Sequence, residues 1–523
     1  MQSELRRLLG NRVGADELID DPAEAAALAS DVYIAGTALG ALRCRSADTL
    51  SRAMAILQRE RIAMVPRGGG MSYTGGYVPA RTRSVIIDTS AMNRIIEISP
   101  ENMLITVEAG VTWKAIHEAL TPLGLRLPFF GTFSGAKATV GGGLSNGALF
   151  LGTARYGTAT DCMLGLEVLL ADGTRVRTGQ SGFDNVAHCF YRTYGPDLAG
   201  LFTHDCGTLG VKIAATFRLI DAPLHSGYAS FVFDGPAPTA AALSAVARTG
   251  AAEEAYVFDP ASTRKNLQAN GIKDDLKTLA QVIRNERSLL KGLRSGMQLA
   301  FGGKDFVAPD AFSLHVVATG RTAAAVEAEL DACREAALRG GGAEIINSIP
   351  KAVRAGLFPH PNGVLGPQGD RWAALNAKVP HSGARALINA SAKLLAPYEA
   401  RMQELGIWMS YLYIAVGNHA FSFEPVFHWF DEWLPMHQRT PQPAFLAALK
   451  NPAPNPAARQ LVQELRCGMV QLFREHGAAS NQIGKTYQYR EGLRVETRDL
   501  LDSLKRSVDP LGLMNPGALG FDR

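Results

Sequence analysis

The sequence predicts an α+β fold of two domains, closed by a C-terminal segment that packs back on both. Three observations carry this. Short β-type runs follow one another quickly between residues 84 and 219, joined by glycine-rich turns and a single helix instead of a regular βαβ alternation. After Pro223 a new strand set and Ala-rich helices begin. At 523 residues the chain exceeds the roughly 100–200 residues of one domain. The boundaries fall at 1–223, 224–450 and 451–523.

Taken in order, residues 1–40 read as helical and mixed in polarity, and 47–62 place Leu50, Ala53, Met54, Ile56 and Leu57 on one side of a helix. Runs at 84–88, 103–108, 163–170 and 211–219 read as strands, with a helix near 112–122. In the second domain 226–233, 313–319, 343–348, 408–416 and 419–423 are strand-like, while 238–249, 261–300 and 320–339 are helical. A Pro-rich linker from about 450 leads into a helix at 458–476 and a tail ending in Asn515-Pro516-Gly517.

Composition excludes several classes. Apolar residues at 47% and charged residues at 20% rule out dominant disorder. A net charge of +4 without a Lys/Arg block argues against nucleic acid or another polyanion as partner. The six cysteines (Cys44, Cys162, Cys189, Cys206, Cys333 and Cys467) are scattered with no CxxC, as expected of free thiols in a reducing compartment. No apolar signal region or 18-residue apolar window is present, so the expectation is a cytoplasmic protein without a membrane partner.

The 53 glycines, about one residue in ten against a usual 7%, are concentrated locally. Pro66-Arg67-Gly68-Gly69-Gly70-Met71-Ser72-Tyr73-Thr74-Gly75-Gly76 has five glycines in nine residues. Such a loop can turn successive N–H groups on an anion such as a pyrophosphate. It has no GK[ST] and precedes a strand, so it is neither a P-loop nor a Rossmann turn. Thr139-Val140-Gly141-Gly142-Gly143-Leu144-Ser145-Asn146-Gly147 and Cys206-Gly207-Thr208-Leu209-Gly210-Val211 are two further small-residue loops. Three of them in one domain suit a long ligand threaded between backbone segments, and a dinucleotide fits.

The order PRGGGxSxxGG, ATVGGGLSNGA, RYG, LEVLLADG, CGTLGVKI and NPG resembles the vanillyl-alcohol oxidase / p-cresol methylhydroxylase (PCMH) flavoprotein superfamily, over most of 45–220 and the C-terminal thirty residues. The resemblance implies a PCMH-type FAD-binding domain of two α+β subdomains under a cap domain of antiparallel sheet and helices. Carried over, Pro66, Arg67, Gly68, Gly69, Gly70, Met71 and Ser72 resemble the pyrophosphate loop. Thr139, Gly141, Gly142, Gly143, Asn146, Gly147, Tyr156, Gly207, Gly210, Val211, Ile213 and Asn515 match further FAD contacts.

Some members attach FAD through a His in the first loop, which is absent here. A second attachment point is suggested in the cap, where His419, Phe421 and Phe423 would share one strand face and His419 falls at the place of a flavin-linking His. A metal held by His419, Glu424 and His428 is the rival reading of that stretch, but the His-rich loop of the metal-dependent members is missing, and no metal is expected.

For the substrate, the resemblance favours an aromatic alcohol or para-substituted phenol. The segments 186–202 and 363–383 are similar to the vanillyl-alcohol oxidase subgroup, and Tyr487, Tyr489 and Arg490 resemble its phenolate-binding Tyr-Arg pair. A cation and phenolic donors would favour the ionised phenol. Arg371 is a further candidate for an anionic group, with Trp372 as an aromatic wall. The subgroup's Asp after Tyr-Gly is replaced by Thr158; Asp161, His188 and His360 are candidate bases. Gly484-Lys485-Thr486-Tyr487 is also close to lactate- and glycolate-type dehydrogenases, so a D-2-hydroxy-acid dehydrogenase is the alternative, and a non-catalytic flavin binder a third. O2 or a protein is the expected electron acceptor, and a homodimer the expected assembly.

Overall fold

A computed structural model describes residues 3–263 and 311–521. The helix expected at 261–300 lies almost wholly outside them. In the first 223 residues a four-stranded sheet runs in the order Leu18–Ile19, Gly40–Leu42, Ser84–Asp88, Ala63–Arg67, its last three strands parallel. A five-stranded antiparallel sheet follows, in the order Ile95–Ser99, Leu104–Glu108, Val211–Arg218, Met163–Leu169, Arg175–Arg177. The helices between them start where polar side chains satisfy their first amides. Ser46 accepts from Thr49 ahead of Ala47–Arg59, and Thr112 accepts from Ala115 ahead of Trp113–Leu120.

Leu125–Arg126 and Ile220–Asp221 pair as a small two-stranded sheet, and the described strands after residue 223 form one antiparallel sheet ordered Ala343–Ile345, His225–Phe233, Phe312–Gly320, Glu254–Phe258, Trp408–Val416, Ala420–Trp429, Arg371–Ala374, with Ala377–Pro380 also on Ala420–Trp429. One face carries Tyr413, Phe421, Phe423 and Phe427, buried in a core with helices Pro236–Thr249, Ala384–Leu395 and Pro456–Glu475. Each such aromatic contributes about 1.5–3 kcal/mol of burial. On the other face Tyr256, Ile414 and Val416 pack against Trp113, Phe150 and Phe217 of the first 223 residues. The sheet is therefore a cap wedged between its own helices and the glycine-rich half. Residues 451–521 join both parts, since Leu513 and Met514 enter the core of the four-stranded sheet while Ile483, Tyr487 and Phe521 enter that of the cap.

Four expectations need correction. The strands of 84–219 are joined by more than the single helix expected, since Val140–Asn146 adds to Trp113–Leu120. Residues 1–40 hold only two short helices, Glu4–Leu9 and Pro22–Leu28, beside strand residues. The run at 343–348 ends as a strand at Ile345, and helix Ser348–Ala355 begins, with Pro350 tolerated in its first turn. His419 is not on a strand: Gly417, at φ 56°, starts a tight turn that takes in His419, and the strand runs Ala420–Trp429. Among the described residues no helix is long and apolar enough to cross a membrane.

Candidate functional site

The first glycine loop leaves strand Ala63–Arg67 and is held from both sides. Tyr77 donates its hydroxyl to the Gly70 carbonyl at 2.8 Å, and the buried Asp31 carboxylate accepts from the Gly75 N–H at 2.6 Å. Gly69 lies so close to the second loop that a Cβ would stand 1.9 Å from the Lys137 carbonyl oxygen. That second loop enters helix Val140–Asn146, whose N-cap is Thr139 and whose C-cap is Gly147 in the left-handed region. Gly141 and Gly143 are small for packing, against Ala109 and Trp113, but Gly142 faces open space bounded by Thr139 and Gly68. In the third loop Gly207, at φ 70°, closes on Pro66, and Asp205 ties its N–H to the Lys212 ammonium.

Between these loops lies a cavity of about 380 Å³ lined by Arg67, Gly68, Gly69, Gly110, Lys137 and Thr139. A smaller one of about 40 Å³, reached past the same Arg67 and Gly68, touches Gly76, Gly142, Asn146 and Gly207. The donors suit an anion. Arg67 Nε is buried without a hydrogen-bond partner, and Lys137 is pushed down to about 8 by burial first and by the Arg67 charge second. A diphosphate would relieve both, and the open face of Gly142 leaves the backbone approachable. The site fits FAD.

Not every expected contact faces this space. Ile213 is a core residue, whereas Gly210 and Val211, though packed on core neighbours, also line the smaller cavity. Tyr156 stands beside Arg126, and Met71 packs on the cap core. Ser72 is buried beside Thr74. Asn515 acts as a bracket: its side-chain amide donates to the Gly76 and Cys206 carbonyls, and its oxygen accepts from Lys485.

A second cluster forms where the first loop meets the cap. Strand alternation puts Trp372, Lys378, Ser422, Glu424 and His428 on the cap face away from Phe421 and Phe423. Tyr73 donates to Glu424 at 3.3 Å and accepts from Gln482 at 3.1 Å, with its ring 5.3 Å from that of Trp372. Tyr487 accepts from the Asn376 N–H at 2.6 Å, and Asn376 reaches Ser422. Arg466 donates to the carbonyls of Ala374 and Tyr73, pinning cap to loop. Burial pushes Glu424 up to about 7 and Lys378 down to about 7, each opposed by the other's charge. Burial also keeps both tyrosines protonated, with Tyr487 raised to about 12. Lys378 and Glu424 nonetheless retain accessible surface, as groups at an internal opening do.

The structure gives other sequence candidates different work. Arg371 is 1% exposed and spent on Asp431 at 2.9 Å and the Tyr33 carbonyl at 2.6 Å, with its guanidinium over Trp429. Arg490 grips Asp502 with two nitrogens, and Tyr489 beside it is exposed. Asp161 caps its own turn through the Thr158 N–H at 2.7 Å but lies near enough to act on Lys378. His188 pairs with Glu97 at 2.9 Å, and His360 is exposed. His419 is exposed in its turn, whereas His428 is buried on Ser410 and Asp370, so the two do not converge with Glu424. No metal-binding group of His, Cys, Asp or Glu occurs among the described residues. Sequence reasoning missed Tyr73 and Lys378, although both sit inside motifs it used, and it weighed Glu424 only as a metal ligand.

Residues 38–179 match the family model described as FAD binding domain. Residues 38–179 thus carry an FAD-binding domain. This flavoprotein is 35% identical over 179 residues to the "Glycolate oxidase subunit GlcD" of Bacillus subtilis, covering 34% of this chain and 36% of that protein. It is 30% identical over 205 residues to "D-lactate dehydrogenase [cytochrome] 1, mitochondrial" of Saccharomyces cerevisiae, covering 39% and 33% respectively. The match thus spans about a third of the length of these curated relatives. In structure the flavoprotein aligns with p-cresol methylhydroxylase with substrate bound at a TM-score of 0.75 and 19% identity, over 99% of this chain and 96% of that one. That likeness establishes a shared fold.

Proposed function

We propose that the chain is an FAD-dependent oxidoreductase that oxidises an aromatic alcohol or para-substituted phenol, with O2 or a protein taking up the electrons. The observation that carries this is the pair of buried, protonated tyrosines, Tyr73 and Tyr487, meeting at the cap face beside the Trp372 ring. Bound FAD supplies the hydride acceptor. The two hydroxyls would orient a phenolic or alcoholic oxygen, and Trp372 would flank its ring. The Asn376 N–H and Gln482 fix the tyrosine hydroxyls, so little reorganisation is needed when substrate arrives. Arg371 and Arg490, the cations proposed from sequence for an anionic substrate, are committed to Asp431 and Asp502.

A D-2-hydroxy acid is the second reading. Lys378 favours it as a half-buried cation at the same opening, as do the glycolate and D-lactate relatives. Anaerobic mixing of the yellow protein with 4-hydroxybenzyl alcohol, and separately with D-lactate and glycolate, distinguishes the two. Bleaching by the alcohol is the expected result; bleaching by the acids alone would replace the first reading with the second. Because His419 is exposed in a turn, acid precipitation should leave the flavin colour in the supernatant.

A further inference from the structure

Among the described residues, Glu424 is the one carboxylate that the cap face presents to the first glycine loop through a hydrogen-bonded chain. Gln482 Nε2 donates to the Tyr73 oxygen, and the Tyr73 hydroxyl donates to Glu424 Oε2. Both links point toward the carboxylate, so the chain orients it as an acceptor. On the adjacent strand Lys378 stands opposite Ser422 and is thereby the diagonal neighbour of Glu424, at a Cβ separation of about 7–8 Å. Its ammonium favours the ionised carboxylate, and Asp161 in turn favours the ammonium.

From this geometry we infer that Glu424 is the general base of the reaction, taking the hydroxyl proton of the substrate, with Lys378 as the positioning cation that holds it ready. The inference rests on the oxidoreductase reading above. In the step, the substrate O–H bond breaks and its proton forms an O–H bond on the Glu424 carboxylate. The electron pair left behind becomes the second bond of the product carbonyl, and the carbon gives up its hydride to the oxidant, a flavin. Glu424 then returns the proton to solvent. Removing such a base costs about 10²–10⁴-fold in rate.

The charged and titratable groups around this carboxylate are Lys378 on the neighbouring strand, Tyr73 on the glycine loop, Tyr487 on the C-terminal segment, and Arg466 on helix Pro456–Glu475, which acts on both tyrosines. Asp161 and His204 reach it only through Lys378. Burial keeps the tyrosines neutral through the neutral range, which leaves the Glu424–Lys378 pair to titrate there.

The holoenzyme tests this in two ways. In anaerobic stopped-flow with 4-hydroxybenzyl alcohol, Glu424→Gln should lower the limiting rate of flavin bleaching by about 100-fold or more, while binding of 4-hydroxybenzoate changes less than about threefold. The wild-type rate should rise with pH through about 7, as the carboxyl loses its proton, and Glu424→Gln should lose that limb. Lys378→Met should move the limb to higher pH. Independently of turnover, infrared titration of the wild-type holoenzyme should show a carboxyl stretch disappearing near pH 7, absent from Glu424→Gln. A Glu424→Gln rate within about threefold of wild type, or the absence of such a band in the wild type, would overturn the assignment while leaving the oxidoreductase reading intact. Failure of both the alcohol and the 2-hydroxy acids to bleach the wild type would remove that reading and the base with it.

Discussion

Asn515 donates its side-chain amide to the Cys206 carbonyl at 2.6 Å while the same nitrogen reaches the Gly76 carbonyl at 2.7 Å. One side chain from the C-terminal segment thereby fixes two of the glycine-rich loops relative to each other. Its own backbone sits in the left-handed region at φ 44°, which Asn tolerates better than most residues. Asn515→Ala should weaken FAD binding about tenfold, equivalent to about 1.4 kcal/mol, with the far-UV spectrum unchanged. Fluorescence of flavin released on dilution measures this.

Gly142 and Gly69 should respond differently to enlargement. At Gly142 a Cβ meets nothing closer than Thr139 Oγ1 at 3.5 Å, so Gly142→Val should fold but occupy the space in which the cofactor is held. It should purify folded and colourless. At Gly69 the Lys137 carbonyl stands 1.9 Å from a Cβ, so even Gly69→Ala should displace the second loop and lower the melting temperature. Flavin content and calorimetry on the two proteins separate these effects.

Arg371→Met should cost stability and spare the chemistry. It removes a buried charge-assisted bond to Asp431, although Arg459 still grips that carboxylate at 2.8 Å. A loss of about 2 kcal/mol in urea unfolding is expected, with KM for an aromatic alcohol within about threefold of wild type. A large rise in KM without loss of stability would return Arg371 to the substrate.

Glu253 sets an acid limit. Burial alone would raise its carboxyl, but Arg126, at 2.9 and 2.7 Å, and Arg354 hold it well below the usual glutamate range. A depressed carboxyl stabilises the fold above its unfolded value of about 4.3 and loses that contribution as pH falls toward the folded one. The melting temperature should therefore drop steeply below about pH 4. Glu253→Gln should remove about 3–5 kcal/mol at neutral pH, because Arg126 is left buried without its counter-charge.

What could be read from the sequence follows from how local each cause is. Strands Ser84–Asp88 and Trp408–Val416 have the bounds their apolar runs predict, and Ser46 and Thr112 cap the helices expected at 47–62 and near 112–122. The glycine loops were legible because φ freedom is a property of the residue itself. The partners of Arg371 and Arg490 were not, because Asp431 and Asp502 reach them by tertiary packing, 60 and 12 residues away. His419 was misplaced by a turn that holds it one residue short of its strand, a distinction alternation cannot make at a hairpin tip. Glu424 was visible as a residue, but its raised proton affinity comes from tertiary burial, which outweighs the opposing Tyr73 hydrogen bond.

The bracket between Asn515 and Gly76 spans 439 residues. At a synthesis rate of about 5–20 residues per second, the ribosome delivers the clasp roughly 20–90 s after the loop it fastens. During synthesis the glycine-rich loops are thus made long before the side chain that ties them together. Full cofactor affinity would then arrive only after residue 515 has been made.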